Sequence, residues 1–453
     1  MLWKFEKLYL KNTWCNNVVV ETDASGMITR VNENSNEPTD EVVSGFSLPG
    51  FVNAHSHAFQ YAMAGLAEQV SPQHMSDDFW TWREKMYHLA SAISPDDLEI
   101  IATELYTNMI QVGYTGVAEF HYLHHDKDGR PYQNIAEMSV RIARAAQTAG
   151  INLTLIPIFY QKGGFDKEAQ NHQRRFLCKN ASAYSELLQQ ITHSLREYDV
   201  KLGTGLHSLR AVDEKNIAAF SKGRPSNGPV HIHISEQEQE VKDCLDKYKL
   251  RPIEWLCRNV DIDDNWHLVH ATHMTSNEMN LVLKAKSHIV LCPSTEGNLG
   301  DGLFPFYDFV QRNGSWSIGS DSHINLNPFE ELRWLDYQQR LLLKKRNPLA
   351  QSGQLESGNV LFDKALLSGR RALGLNSESF EVGQNLDVVI IREDHPHAMG
   401  TPDDQLMSTL IFTTNPQHIA ATIVKGIWRF NAHEINLATR QKWLSLKQKL
   451  RSL

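Results

Sequence analysis

Cysteine is scarce in this chain, and what there is forms no pattern. Cys15, Cys178, Cys244, Cys257 and Cys292 are scattered, odd in number and include no Cys-x-x-Cys pair. Neither a disulfide framework nor a thiolate zinc site is expected, and a reducing cytoplasm is the natural setting. No run of about 18 apolar residues occurs, so no membrane span is expected. The first residues, Met1 to Leu10, lack the positive start, apolar centre and small-residue cleavage site of a signal peptide. A basic surplus is missing too: 45 Lys and Arg face 53 Asp and Glu, a formal net charge of −8. That balance argues against general nucleic-acid binding, which needs a basic face. The basic stretch from Arg440 to Arg451 reads as the solvated side of a terminal helix.

What is present is ordinary globular composition, 41% hydrophobic and 22% charged, over 453 residues. That length fits one large domain with a minor one appended. Short β-rich apolar runs recur at 45–52, 115–120, 152–159, 202–206, 230–234, 267–270, 288–292 and 316–319. Helical sequence follows most of them, as at 135–149 and 276–285. Eight strands alternating with helices predict an α/β fold, a (β/α)8 TIM-type barrel. Polar side chains stand near the C-terminal ends of these runs: His55, His121, His207, His233, His270, Ser294 and Asp321. That end carries the active site in such barrels. The long interval after the first run holds extra helix around 79–87, which would lie over the mouth. Segments 2–20 and 22–31 before the barrel, and 385–392 and 419–430 after it, read as strands. They predict a small β-sandwich built from both chain ends. The expected division is 1–47 and 379–453 for the sandwich plus a terminal helix, and 48–378 for the barrel. Gly369 and Ala372 stand at helical spacing within 366–375, and 381–384 reads as a turn re-entering the sandwich.

The strongest chemical signal is Pro49-Gly-Phe-Val-Asn-Ala-His55-Ser-His57. Two histidines one residue apart project to the same side of an extended segment, so both imidazoles can reach one ion. His231-Ile-His233 has the same spacing, and spacing alone leaves open which of the two faces that ion. Strand ends converge in a closed barrel, which brings His55, His57, one of the strand-five pair, His270 and Asp321 to one mouth. Three neutral imidazoles and a carboxylate suit a borderline divalent ion such as Zn2+, with one position left for water.

The chain resembles the N-formimino-L-glutamate deiminases, a mononuclear branch of the amidohydrolase superfamily acting in histidine degradation. The resemblance runs over nearly the whole length. It is carried by Asn53-Ala-His-Ser-His-Ala-Phe-Gln60, Phe79-Trp-Thr-Trp-Arg83, Glu119-Phe-His-Tyr122, His207-Ser-Leu-Arg210, His231-Ile-His-Ile-Ser-Glu-Gln237, His270-Ala-Thr-His273, Cys292-Pro-Ser-Thr-Glu296 and Gly319-Ser-Asp-Ser-His323. It implies His55, His57, His233 and Asp321 as ligands of one divalent ion, most simply Zn2+, with His231 facing elsewhere. It implies Gln60, Arg83, Tyr122, His207, Arg210, Glu236, His270 and Ser322 around the substrate. His273 and His323 are expected in supporting positions. Gly203-Thr-Gly-Leu206 and Gly297 depart from the pattern without replacing a proposed functional side chain.

The resemblance further implies a small dicarboxylate substrate, hydrolysed to N-formyl-L-glutamate and ammonia by a cytoplasmic enzyme, with a homodimer as the family expectation. Arg83 and Arg210, from separate elements, suit two separated carboxylates, which planar guanidinium groups bind bidentately. Asp321, His270 and Glu236 are the candidates for moving protons between water and the leaving nitrogen. The alternatives are a nucleobase deaminase of guanine or cytosine type and a non-catalytic scaffold. The first would want stacking aromatics in place of arginines; the second would have lost ligands, and this chain keeps all four.

Overall fold

The computed structural model describes residues 1–35, 37–68, 79–225, 228–350, 356–432 and 437–451. The chain opens with four strands, β1 (Leu2–Leu10), β2 (Thr13–Thr22), β3 (Ile28–Asn32) and β4 (Glu41–Pro49). The expected strand at 2–20 is in fact a hairpin. Lys11 and Asn12 both take the left-handed conformation, φ 49° and 62°, which matches a tight turn to the twist of its strands. The expected first barrel strand also divides. Pro49-Gly50 turns the chain out of β4, and the barrel begins at β5 (Phe51–Ser56). Gly50 is required there, because a Cβ would lie 2.3 Å from Thr115 Oγ1.

Seven more barrel strands follow β5: β6 (Tyr114–His121), β7 (Asn152–Phe159), β9 (Thr204–Ser208), β10 (Val230–Ile234), β11 (Trp266–His270), β12 (His288–Leu291) and β13 (Ser315–Ile318). All pair in parallel with their sequence neighbours, while the short β8 (Val200–Leu202) pairs with β7. The run expected at 202–206 is therefore broken into β8 and β9. The seam between β13 and β5 is closed near the mouth. Ser56 bridges Asp321, the amides of Ser320 and Asp321 donate to the His55 carbonyl, and the His57 amide donates to the Asp321 carbonyl.

The chain returns through β14 (Val388–Ile391), β15 (Ile419–Val424) and β16 (Ile427–Asn431). These join the first four in one sheet of order β16-β15-β14-β4-β1-β2-β3. Its far edge curls back, since Gly26 and Ile28 exchange backbone hydrogen bonds with Gly383, Gln384 and Leu386. The result is the small β-sandwich formed from both chain ends. Alternation along the strands, shifted in phase in β1 by the register break between Phe5 and Lys7, separates two cores. Trp3, Phe5, Val388 and Ile390 fill the sandwich, whereas Tyr9, Leu48, Val389 and Ile391 pack on the barrel.

The helix expected over the mouth runs Phe79–Ala92 and buries Phe79, Met86 and Tyr87. Helix Pro95–Gln111 follows, opened by a reciprocal cap between Ser94 and Asp97. Helix Ser357–Ala372 seals the opposite end, where a Cβ on Gly369 would lie 3.0 Å from Val52 Cβ. Among the described residues no helix is long and apolar enough to cross a membrane.

Candidate metal centre and active site

His55 and His57 alternate with Ser56 at the end of β5 and turn to the same side. His55 Nε2 lies 3.1 Å from the Nε2 atoms of both His57 and His233. Asp321 Oδ1 lies 3.4 Å from His55 Nε2 and 3.2 Å from His57 Nε2. Backbone carbonyls fix two of these rings: Nδ1 of His57 donates to Phe120 O and Nδ1 of His233 to His207 O, both at 3.0 Å. With Nδ1 so engaged, each ring turns Nε2 to the cluster. Burial pushes His55 down to about 3, with His57 adding to it. Burial and the neighbouring imidazoles hold His233 well below its ordinary range. Burial acts to raise Asp321, but its contacts with His55 and His57 outweigh that and keep the carboxyl well below the usual range.

The neutral rings of His55 and His233 and the ionised Asp321 carboxylate thus crowd their lone pairs together with too few protons between them. A cation resolves that crowding. Ligands at about 2.0–2.1 Å in a tetrahedral array stand roughly 3.3 Å apart, close to the 3.1 to 3.4 Å seen here. The four residues fit one divalent ion.

The backbone supports this cluster at some cost. Asp321 and His270 have φ of 49° and 68°, and Ala271 beside His270 has 50°. Such left-handed conformations are strained for residues with a Cβ and concentrate at functional strand ends. Asn53 holds the seam, its Nδ2 donating to Ser320 Oγ at 2.6 Å and its Oδ1 accepting from the Ser320 amide at 3.1 Å. Glu119, also buried, accepts from Ser56 Oγ, from the Ala58 amide at 2.6 Å and from Tyr106 Oη at 3.0 Å. It therefore braces both neighbours of His57. Burial lifts its carboxyl to about 7.

Above the cluster one pocket is lined by His57, His233 and Asp321 together with Gln60, Arg83, Tyr122, His207, Arg210, Glu236 and His270. His55 lies beneath it, fully buried. Ser322 does not line this pocket. Its hydroxyl engages Thr295 Oγ1 at 3.1 Å, and it borders a smaller neighbouring cavity with Gln60 and Trp82. His121 and Ser294, expected at the mouth, do not reach it either. His121 packs on His124, and Ser294 bonds Glu331.

His270 Nε2 stands 3.8 Å from Asp321 Oδ2 and 3.9 Å from Glu236 Oε1, while its Nδ1 meets Glu296 Oε1 at 3.3 Å. Burial favours the neutral ring, but Glu236, Glu296 and Asp321 outweigh it and raise His270 to about 10. Arg210 Nη1 pairs with buried Glu240 at 3.0 Å, and Nη2 lies 3.7 Å from Glu236. Arg83 enters from the helix above, with its guanidinium 5.1 Å from the Trp80 ring centre and 5.2 Å from that of Tyr87. Burial and the two arginines keep His207 neutral.

Sequence reasoning missed Glu240, Glu296, Asp301 and Tyr160. Glu240 sits in the first turn of helix Glu238–Tyr248, where acids are commonplace, so nothing marked it. Asp301 is buried beside Gln237, with Oδ2 unpartnered, and burial and the charge of Glu236 raise it to about 9. Glu296 falls within a quoted motif, yet only the fold shows that it faces His270.

Comparison with known proteins agrees with this architecture. The sequence model of the amidohydrolase family matches residues 46–429. A formimidoylglutamate deiminase from Pseudomonas aeruginosa is 44% identical over 424 residues, 93% of each chain. A 5-methylthioadenosine/S-adenosylhomocysteine deaminase from Halobacterium salinarum is 24% identical over 420 residues, covering 90% of this chain and 87% of that one. The crystal structure of an amidohydrolase from Brucella melitensis superposes with a TM-score of 0.92 at 38% identity over 99% of both chains. A zinc-bound adenosine deaminase from Xanthomonas campestris shares the fold at a TM-score of 0.79 and 19% identity, over 100% of this chain and 98% of that one. With its barrel, its buried His/His/His/Asp site and these matches, the chain belongs to the amidohydrolase family.

Proposed function

We propose that this protein hydrolyses the formimino group of N-formimino-L-glutamate, giving N-formyl-L-glutamate and ammonia. The observation that carries the reading is one pocket holding two guanidinium groups, Arg83 and Arg210, above the His/His/His/Asp cluster. A cationic wall opposite a hydrolytic centre suits a small dianion. The 44% identical relative bears the name of this activity. The alternative, deamination of a nucleobase, would leave both charges unused.

His55, His57, His233 and Asp321 hold the ion in this reading, and their donor set suits Zn2+. A divalent ion held there would lower the pKa of a water to about 7 and so make hydroxide available at neutral pH. Asp321 turns Oδ1 to the imidazoles, so Oδ2 is free to take the proton that water gives up. His270, within 4 Å of both carboxylates, orients the attacking oxygen. Asp321, His270 and Glu236 carry that proton to nitrogen, and the attacking oxygen gives up its second proton as the C–N bond breaks, so nitrogen leaves as ammonia and a carbonyl oxygen replaces it on carbon. Arg83, Arg210, Gln60, Tyr122 and His207 hold the substrate's polar groups. Ser322 orients Thr295 beside the pocket.

The test is ammonia release from N-formimino-L-glutamate measured beside N-formimino-L-aspartate, guanine and cytosine. Fastest turnover of the glutamate derivative is expected, and faster turnover of either base would overturn the substrate. Metal analysis should find about one ion per chain, with zinc expected. The protein is expected to work in the cytoplasm as a homodimer, and light scattering of the purified protein tests its oligomeric state.

A further inference from the structure

Gln173, on the short helix Asn171–Phe176, is 1% exposed and has no role in the chemistry above. Its amide is fully engaged. Oε1 accepts from the Gln170 amide at 2.8 Å, and a backbone N–H can only donate, which fixes the orientation of the side chain. Nε2 donates to Tyr87 Oη at 3.0 Å and to Tyr160 Oη at 2.8 Å. Tyr87 Oη accepts a second bond from Arg83 Nε.

A phenol oxygen offers two lone pairs and one proton. Both lone pairs of Tyr87 are taken, so its hydroxyl must donate. Tyr160 has one lone pair left after Gln173, and the Tyr87 hydroxyl can fill it. Five N–H and O–H protons then meet four lone pairs, and the remaining proton is on Tyr160. Among the described residues no acceptor meets it, and both tyrosines border the pocket. Buried polar hydrogens rarely go unused, so a ligand acceptor belongs there. Burial raises the Tyr160 hydroxyl far above its ordinary range, so it stays a donor at every working pH.

The position of Tyr160 selects the ligand group. Its ring lies 4.5 Å from that of His207, which in turn lies 5.1 Å from that of His233. The Tyr160 ring therefore stands two rings out from the metal cluster, with its hydroxyl against Gln173 and the charges of Arg83 and Arg210 bearing on it. An anionic oxygen remote from the reacting carbon fits that place. We propose that Tyr160, oriented by Gln173 and Tyr87, donates a hydrogen bond to the substrate carboxylate farther from the hydrolysed carbon. This makes Tyr160 a specificity residue for dicarboxylates and Gln173 a positioning residue, and it rests on the deiminase reading.

The test compares Tyr160→Phe and Gln173→Glu with the unaltered protein on N-formimino-L-glutamate and N-formimino-L-norvaline, whose side chain ends in a methyl group. A hydrogen bond to a charged group predicts a rise in KM of about 10- to 100-fold for the glutamate derivative in Tyr160→Phe. The turnover number and the norvaline kinetics should stay within about threefold. Gln173→Glu is isosteric but can only accept from the two hydroxyls, which turns their protons away from the pocket. It should reproduce the same selective rise. Calorimetric binding of glutarate, which needs no turnover, should weaken in parallel. Equal losses on both substrates, an unchanged KM in Tyr160→Phe, or a Gln173→Glu protein that loses thermal stability yet binds glutarate normally would each overturn the proposal. An unaltered protein inactive on the glutamate derivative would sink the deiminase reading instead. Glutarate binding then still decides the subsite, and no binding to the unaltered protein would overturn it.

Discussion

Arg210 carries its charge into the barrel mouth already paired, because buried Glu240 lies 3.0 Å away. The two arginines therefore answer truncation differently. Arg83→Met and Arg210→Met should both cripple kcat/KM on the dicarboxylate and leave metal content near one ion per chain. Only Arg210→Met strands a buried carboxylate, at a cost of about 3–5 kcal/mol. Its Tm should fall well below that of Arg83→Met, and Arg210→Met combined with Glu240→Gln should regain stability without regaining activity. Equal Tm values in the two single variants would show that Glu240 is not held by Arg210. Glu119 offers a second test. Its removal as Glu119→Gln leaves the ligands in place but weakens their brace, and about 10- to 100-fold lower metal affinity is expected, read as metal retained after dialysis against a competing chelator. Cluster residues were legible because spacing and strand-end placement are local properties of sequence. Their braces were not, because Glu119, Glu240 and Glu296 act through partners made neighbours only by the fold.

Strands β10, β11 and β12 explain an ambiguity that spacing could not resolve. His231 and His233 are two residues apart and turn to the same side, so both rings enter the barrel. They differ in depth by about 6.6 Å. At the lower level His231, His267 and His288 stand in register and stack with ring centres 4.8 Å apart. His288 bonds Ser368, and the rings of His231 and His267 face the backbone carbonyls of Ala372 and Arg371. Burial pushes His231 down to about 3 and His288 to about 4, and drives His267 far below its ordinary range. These folded values lie below the unfolded value of about 6.5. The unfolded chain then binds more protons in acid, so stability is complete above about pH 6.5 and falls toward pH 4. Urea midpoints between pH 7 and 4.5 should show that fall, with a shallower slope in His267→Leu. An equal slope in the two proteins would remove the stack from the acid response.

The eightfold alternation made the barrel legible in the sequence, and strands at both termini made the sandwich legible. Boundaries such as Pro49-Gly50 were hidden because the apolar run continues across them from one sheet into the other. Closure of the barrel was legible from its eight units, but the groups that make it were hidden. Its seam is formed by backbone groups of His55, Ser56, His57, Ser320 and Asp321, the same segments that present three of the four cluster side chains. Gly319 permits this approach, since a Cβ there would lie 2.7 Å from His55 Cβ. Gly319→Ala should therefore lose metal and stability together. Removing the ion should also lower Tm, by the equivalent of about 4 kcal/mol when free metal had stood 1,000-fold above its Kd. Hydrogen exchange at the amides of His57, Ser320 and Asp321 should quicken in the stripped protein while the sandwich is unaffected. Unchanged exchange there would separate the ion from the seam.

The seam also sets an order of events at the ribosome. His57 is made early and Asp321 late, with the other barrel strands between them, so a growing chain offers at most a partial nest of imidazoles. The nest is completed only when the last barrel strand has emerged and folded back against the first. A complete four-residue nest therefore exists only after translation of that strand.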